Sequence, residues 1–388
     1  MNLFMKPLFS EPATASDYRY LAKQKLPRFL FDYIDGGANA ELTLERNCSD
    51  FNSLQLRQKV MRDVSHVDVA TTLLGHDCAL PLALAPVGMS GMMRQRGEVQ
   101  AAKAASQVGV PFTLSTMGVC PVEEVNQAAS RPCWFQLYML KDRDAVLSIL
   151  SRVKKAGCDT LVFTVDLAMP GLRHRDTRNS LSSTTARGKM SRAWQIAQRP
   201  SWVMDVGVKG KPHILGNLSE ILQNTSDFSD YAKFAAAQFD PSVTWDDLVW
   251  LRQQWSGKLI IKGVLDIDDA KRSVDIGADA IVVSNHGARQ LDSAPSSISV
   301  LPSIAKAING DVEILMDGGV RNGVDLVKAL ILGANGAMIG RPWIWAVAAK
   351  GEQGLVDYLS LFKQEVQYTM ALLGVNQLAE LSPDLLYQ

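Results

Sequence analysis

From residue 81 onward the chain repeats one pattern, a short run of continuous apolar residues followed by an amphipathic stretch with helical spacing. The apolar runs fall at 81–86, 111–115, 133–138, 160–165, 259–263, 280–284, 312–316 and 336–339. Helical patterns occupy 98–107, 122–129, 143–156, 245–255, 267–275, 299–308 and 323–332. Strands apolar on both faces belong to a sheet covered on both sides, which is where helix-linked parallel strands are found. Eight such units in succession predict a closed (β/α)8 barrel rather than an open doubly wound sheet.

The segment before the barrel reads as helical. Ser16-Asp17 is a plausible cap for a helix over 18–24, a second helix follows over 27–34, and Gly36-Gly37 stops it. Another helix is expected over 41–52. The chain is therefore read as one domain, 1–388, with an N-terminal helical segment over 1–75 and the barrel over 76–388. One insertion, about 177–215, breaks the rhythm after the fourth strand. Within it, 177–213 has little strand or helix periodicity. That stretch carries Arg178, Arg187, Lys189, Arg192, Arg199, Lys209 and Lys211 against the single acid Asp205. Met190, Trp194, Ile196, Trp202, Val203 and Met204 are interleaved. Such a segment is expected either as a lid loop on the barrel rim or as a basic face for an anionic membrane.

Forty basic residues balance forty acidic ones, so no net field points to nucleic acid. Five cysteines, with no C-x-x-C, suit reduced intracellular thiols rather than a disulfide framework or a zinc site, and no metal is expected. Residues 1–7 lack an apolar signal core, and no run of 18 apolar residues occurs, so neither a signal peptide nor a membrane span is expected.

In barrels the chemistry sits at the C-terminal ends of the strands, and here those ends turn polar. The first ends in Ala85-Pro86-Val87-Gly88. The second ends at Ser115, the third at Gln136 and Tyr138, the fourth at Thr164 and Asp166, and the fifth at Lys262. The sixth opens into Ser284-Asn285-His286-Gly287-Ala288-Arg289-Gln290-Leu291-Asp292. A histidine can take a proton near neutral pH, and an arginine three residues on can hold a carboxylate bidentately. A base beside an anion clamp is what proton abstraction next to a carboxylate requires. The seventh strand ends Asp317-Gly318-Gly319-Val320-Arg321 and the eighth Gly340-Arg341. Loops after strands seven and eight commonly bind phosphate, and glycines there admit close backbone approach. With Ser115, Gln136, Thr164 and Lys262 on the same rim, a phosphate-bearing heteroaromatic cofactor such as FMN fits. No G-x-G-x-x-G opens a helix after a strand, so an NAD site is not indicated.

From Leu26-Pro27 and Tyr33 to the last helix, and most specifically at 284–292, the chain resembles the FMN-dependent L-2-hydroxy acid oxidising family. Within it, 82–96, 111–122, 134–138, 163–176 and 201–217 are most similar to the quinone-linked L-lactate dehydrogenases of bacteria. The resemblance implies oxidation of L-lactate to pyruvate, with electrons passed to a quinone or respiratory chain. It implies His286 as base, Asp166 stabilising its protonated form, and Tyr138 bonding the substrate hydroxyl. Arg289, Arg173 and Tyr33 would bind the substrate carboxylate. Lys262 would offset charge on the reduced ring. Ser115, Gln136 and Thr164 would bond the ring, and the backbone of Ala85, Pro86, Val87 and Gly88 would lie beside it. Asp317, Gly318, Gly319, Arg321, Gly340 and Arg341 would hold ribityl and phosphate.

Val87 and Met117 replace a hydroxyl residue and a tryptophan of plant oxidases, which argues against an oxygen-using oxidase. Gly88 leaves room for a larger acid such as L-mandelate. A rival from another class is a Schiff-base aldolase or isomerase using Lys262. A homo-oligomer, peripheral at the cytoplasmic face of the inner membrane or otherwise cytoplasmic, is the expected setting.

Overall fold

The computed structural model describes residues 10–219 and 238–387. Eight parallel strands form one sheet: β1 (Leu82–Leu84), β2 (Thr113–Ser115), β3 (Trp134–Leu137), β4 (Thr160–Thr164), β5 (Lys258–Val264), β6 (Ala280–Val283), β7 (Glu313–Met316) and β8 (Gly336–Ile339). Each lies on an apolar run read from the sequence. Its spatial order is β1-β8-β7-β6-β5-β4-β3-β2. Leu84 closes the ring by bridging Phe112 just before β2, and its N–H donates to the Pro111 carbonyl at 2.8 Å. The fold is a TIM barrel, with helices such as Gly97–Val108, Arg143–Lys155 and Gly323–Ile331 outside it.

Side chains alternate across a strand, so each strand sends every second residue into the barrel. The inner set at the lower end is apolar: Ala83, Trp134, Val162, Ile260, Ala280, Val282, Leu315 and Met338 pack together. The other face of each strand packs under the helices in the larger core. Two residues further up, the inner positions become polar. Trp134 gives way to Gln136, Val162 to Thr164, Ile260 to Lys262, Val282 to Ser284 and Leu315 to Asp317. Alternation alone therefore puts the polar residues in a layer at the C-terminal mouth.

The N-terminal segment is not wholly helical as expected. Helices run Ala15–Lys25, Arg28–Asp35 and Leu42–Ser53, but Thr71–Leu73 and His76–Cys78 form an antiparallel hairpin. Its turn residues Leu74 and Gly75 both have positive φ (54° and 83°), as a type I′ turn requires. Leucine is a poor marker for that turn, which hid the hairpin in the sequence. Leu73, Leu74 and Cys78 pack against the apolar inner layer and close the bottom of the barrel. The cap of the first helix also differs from the expected Ser16-Asp17. Thr14 is the N-cap, and Asp17 completes a capping box with it.

The insertion is the larger correction. Its described part is folded into helices, His174–Arg178, Ala186–Ala197 and Pro200–Trp202, then a π-helical turn Val203–Val208. Only Gly188 and Arg192 of the Ala186–Ala197 helix are buried, so no apolar stripe announces it. Polar contacts seat the segment instead. Phe29 N–H donates to Gln195 Oε1 at 2.9 Å, Arg199 Nε to the Leu26 carbonyl at 3.1 Å, and Trp202 Nε1 to the Met92 carbonyl at 2.9 Å. The reading of residues 1–7 lies outside the described residues.

Candidate active site

The C-terminal mouth opens into a cavity of about 460 Å³, a size suited to a cofactor plus a small substrate. Residues from all eight strand ends or the loops after them line it, joined by Tyr33 from the N-terminal helices and Arg173 from the segment leading into the insertion.

The loop after β6 carries the acid–base pair. His286 Nδ1 lies 2.7 Å from Asp166 Oδ1; a carboxylate can only accept, so Nδ1 carries the proton and Nε2 is left free. Burial works against the Asp166 charge, but His286 and then Lys262 outweigh it and hold the carboxyl below its ordinary range. His286, Gly287 and Ala288 are all left-handed, at φ 56°, 59° and 61°, a costly run for non-glycine residues. Side chains pin it: Ser284 Oγ accepts the His286 N–H at 3.0 Å, and Asn285 Oδ1 accepts the Ala288 N–H at 3.0 Å. On β5, the register shifts at Gly263 (φ 111°), where a Cβ would fall 2.6 Å from Asp166 Cγ. Glycine there gives Asp166 its space.

Arg289 and Arg173 both face the Tyr33 ring, at 5.1 and 5.9 Å from its centroid. Arg289 Nη1 donates to the Tyr33 and Gly36 carbonyls at 2.6 and 3.0 Å. Burial, then Arg173, push the Arg289 guanidinium below its usual range. Desolvation works against the Arg173 charge too, but its ion pair with Asp176 at 2.7 Å helps keep it above that range. Two half-buried cations side by side favour an anion between them. Burial and then the Asp166 charge raise the Tyr138 hydroxyl, so it stays an O–H donor at neutral pH. Phe239 packs on the Tyr138 ring at 5.2 Å.

At the other end, Arg341 donates to the Asp35, Gly36 and Gly287 carbonyls at 3.1, 2.7 and 2.8 Å. Burial, with Arg289 and Arg321 nearby, pushes it down to about 9. Arg321 lies 5.5 Å from the Trp345 ring centroid and bonds the Val320 carbonyl. Gly318 and Gly319 take φ 90° and 103°, and a Cβ on Gly319 would fall 1.7 Å from the Asn47 carbonyl oxygen. Lys262, 4% exposed, pairs with Asp317 at 2.6 Å and donates to Ser284 Oγ at 2.9 Å. Its nitrogen is committed to an ion pair, unlike the free amine that a Schiff base needs.

Several buried polar atoms around this mouth lack a protein partner: Thr164 Oγ1, Gln136 Nε2 and Asp317 Oδ1. Buried groups of this kind normally have partners. Together with the glycine cradle and the anion-seeking arginines, they fit a polar ring bearing a ribityl phosphate. The sequence matches the family described as FMN-dependent dehydrogenase over residues 22–388. The chain belongs to that family. FMN is the cofactor of this FMN-dependent dehydrogenase, and the Schiff-base reading falls. It is 49% identical to the L-lactate dehydrogenase of Ectopseudomonas mendocina (strain ymp) over 374 residues, 96% of this chain and 98% of that one. It is 50% identical to the L-lactate dehydrogenase of Chromohalobacter salexigens over 96% of this chain and 94% of the relative. A crystal structure of the monotopic membrane protein (S)-mandelate dehydrogenase superposes with TM-score 0.91 and 34% identity, covering 97% of this chain and 100% of that one.

Of the site residues expected from the sequence, all line the cavity except two: Gln136, which lies behind Ser115 and accepts its hydroxyl at 3.1 Å, and Asp166, which lies behind His286. Sequence reasoning missed Asn47, whose amide exchanges hydrogen bonds with Asn285 at 2.9 and 2.7 Å and so supports the His286 loop. Nothing in its helix marks it. Gln290, within the recognised motif, went unassigned; its amide ties the turn after Asp166 through the Asp166 and Met169 carbonyls at 3.0 and 3.1 Å.

Proposed function

We propose that this FMN-dependent dehydrogenase oxidises L-lactate to pyruvate and passes the electrons to a membrane quinone. The observation that carries the 2-hydroxy acid reading is His286, backed by Asp166, facing one cavity with Arg289, Arg173 and Tyr33. The two L-lactate dehydrogenase relatives favour lactate.

Bound FMN supplies the two-electron acceptor. Arg289 and Arg173 take the substrate carboxylate, completing the neutralisation that their own pairing leaves unfinished, and the Tyr33 hydroxyl adds a donor. That anchoring presents the 2-carbon and its hydroxyl to His286. Nε2 removes the proton, and the imidazolium that forms is stabilised by the Asp166 carboxylate across the 2.7 Å contact. Tyr138 donates to the substrate hydroxyl oxygen. Lys262, fixed between Asp317 and Ser284, would offset negative charge on the bound cofactor. Ser115, Thr164 and, through its unpartnered Nε2, Gln136 would bond the ring, while Arg341, Arg321 and the backbone of Gly318, Gly319 and Gly340 would hold the phosphate end.

A larger L-2-hydroxy acid is the second reading, favoured by Gly88 on the cavity wall and by the (S)-mandelate dehydrogenase neighbour. Anaerobic reduction by L- and D-lactate and L- and D-mandelate, then reoxidation with oxygen or a short-chain quinone, tests both readings. Bleaching by neither L-acid would end them.

The insertion is proposed to rest on the inner membrane at its cytoplasmic face. Met190 and Trp194, four residues apart on one helix, are 70% and 67% exposed, and Met204 and Val208 are exposed on the next turn. Exposed Arg187, Lys189, Lys209 and Lys211 accompany them. Among the described residues no helix is long and apolar enough to cross a membrane. Co-sedimentation with anionic but not neutral vesicles at low salt is expected; failure to bind anionic vesicles would remove the claim.

A further inference from the structure

Four arginines from distant parts of the chain converge on the last turn of the helix Arg28–Asp35. The Asp35 carboxylate is buried and receives Arg19 through Nε at 2.5 Å and Nη2 at 2.7 Å. Arg175, from the first helix of the insertion, reaches the same carboxylate at 2.9 Å and also pairs with Glu41. The backbone of that turn serves the other two: Arg289 takes the Tyr33 and Gly36 carbonyls, and Arg341 takes those of Asp35 and Gly36. Carbonyls at a helix C-terminus carry partial negative charge, which suits cationic donors. Burial opposes the Asp35 charge, but the Arg19 hydrogen bonds, with Arg341 and Arg175, keep its carboxyl below the ordinary range.

The neighbouring backbone is tied in the same way. Ala38 N–H donates to the Ala288 carbonyl at 2.8 Å, in the His286 loop, and Asn39 N–H to the Leu172 carbonyl at 2.8 Å, just before Arg173. The stretch from Tyr33 to Glu41 thus joins the loop after β6 to the start of the insertion. Those two segments bring Arg289 and Arg173 to one aromatic ring.

We infer that Asp35 is a positioning residue for substrate-carboxylate binding, acting through Arg175 to lock the Tyr33 turn against the insertion so that Arg289 and Arg173 share one anion. This rests on the reading of those two arginines as the carboxylate clamp. Asp35 touches neither substrate nor cofactor; its effect is on where the cations stand. A buried charge that merely stabilises the fold would change thermal stability without changing anion affinity.

The test uses full-length FMN-loaded protein carrying D35N, R175Q or D35E. Oxalate, which cannot be oxidised by this route, is titrated into the oxidised enzyme, and its Kd is read from the perturbed flavin spectrum without turnover. D35N and R175Q should each weaken oxalate and raise the KM for L-lactate about tenfold, with kcat within about threefold and FMN retained. The double variant should be no worse than the poorer single one, and D35E should recover part of the loss. Both single variants binding oxalate and lactate within about twofold of wild type would overturn the inference, even if they melt earlier. Should D35N fail to fold, R175Q decides alone, since Arg175 is partly exposed. Wild-type flavin that no 2-hydroxy acid reduces would defeat the functional reading, whereas the oxalate ratio between variant and wild type would still report on the arginine pair.

Discussion

His286 Nδ1 stands 2.7 Å from Asp166 Oδ1, a contact between the loops after β6 and β4 made by residues 120 apart in sequence. It orients the imidazole and supplies the counter-charge for its protonated form. His286→Gln should keep FMN yet lose rapid flavin bleaching by lactate. Asp166→Asn, which leaves the base but removes its counter-charge, should lower kcat/KM by about 10²–10⁴-fold. Stopped-flow flavin reduction measures both. Fast bleaching in the glutamine variant would refute the base assignment.

Arg289 donates to two backbone carbonyls while facing Arg173 across the Tyr33 ring. Lysine can place one charge there but cannot bond the turn and a carboxylate at once. Arg289→Lys should raise KM and lower kcat together, costing about 1.5–3 kcal/mol in kcat/KM. Steady-state kinetics within error of wild type would rule out the clamp role.

Gly88 borders the cavity, where an added Cβ would lie 3.2 Å from Met117 Cβ and 3.3 Å from Tyr33 Oη. Gly88→Ala therefore narrows the wall without striking backbone. Discrimination by a single methyl is worth about 1–3 kcal/mol, so kcat/KM for L-mandelate should fall about tenfold or more relative to that for L-lactate. Equal losses on both acids would show that Gly88 does not set the size limit.

Gly319 is the least replaceable residue of the phosphate end, because both its φ of 103° and the nearness of the Asn47 carbonyl exclude a side chain. Gly319→Ala must push the helix Leu42–Ser53 away or bend the loop after β7. Purified variant should carry little FMN and melt several degrees lower, at a cost of about 1–3 kcal/mol from the backbone strain alone. A fully flavinated variant with an unchanged Tm would contradict this packing.

Asp35 also shapes the acid response. Its folded pKa lies below the ordinary value, so the native state binds fewer protons than the unfolded chain near the carboxylate range. The resulting stability is fully present above the unfolded pKa of about 3.9 and is lost as pH falls through the lower folded value. The difference in Tm between wild type and D35N should hold steady from neutral pH to about pH 5 and close below about pH 4. A gap unchanged down to pH 3 would mean that Asp35 is not the ionised partner of Arg19 and Arg175.

The alternation of continuous apolar runs with helical stretches was enough to read the barrel from the chain. Five of the eight strand runs carry an apolar inner residue followed two positions later by Gln136, Thr164, Lys262, Ser284 or Asp317, so that part of the polar layer is written locally. The His286–Arg289 spacing is local too. Residues whose burial comes from distant segments were not legible. Leu74-Gly75 gave no usual turn signal, and the Ala186–Ala197 helix shows no apolar stripe because Gln195 and Arg199 seat that segment through polar contacts with the Phe29 and Leu26 backbone. Asn47 and Asp35 look like ordinary helix polar residues until Asn285, Arg19 and Arg175 meet them.

What the sequence by itself determined was the strand set, the barrel, and the side chains that rise to its mouth, since these follow from spacing along one element at a time. Only the tertiary structure decided how the arginines are placed. Arg289 lies 256 residues from the Tyr33 carbonyl it holds, and Arg341 lies 305 from that of Gly36. Where such a cation stands depends on which carbonyls and carboxylates the folded chain brings to it, and no local period encodes that.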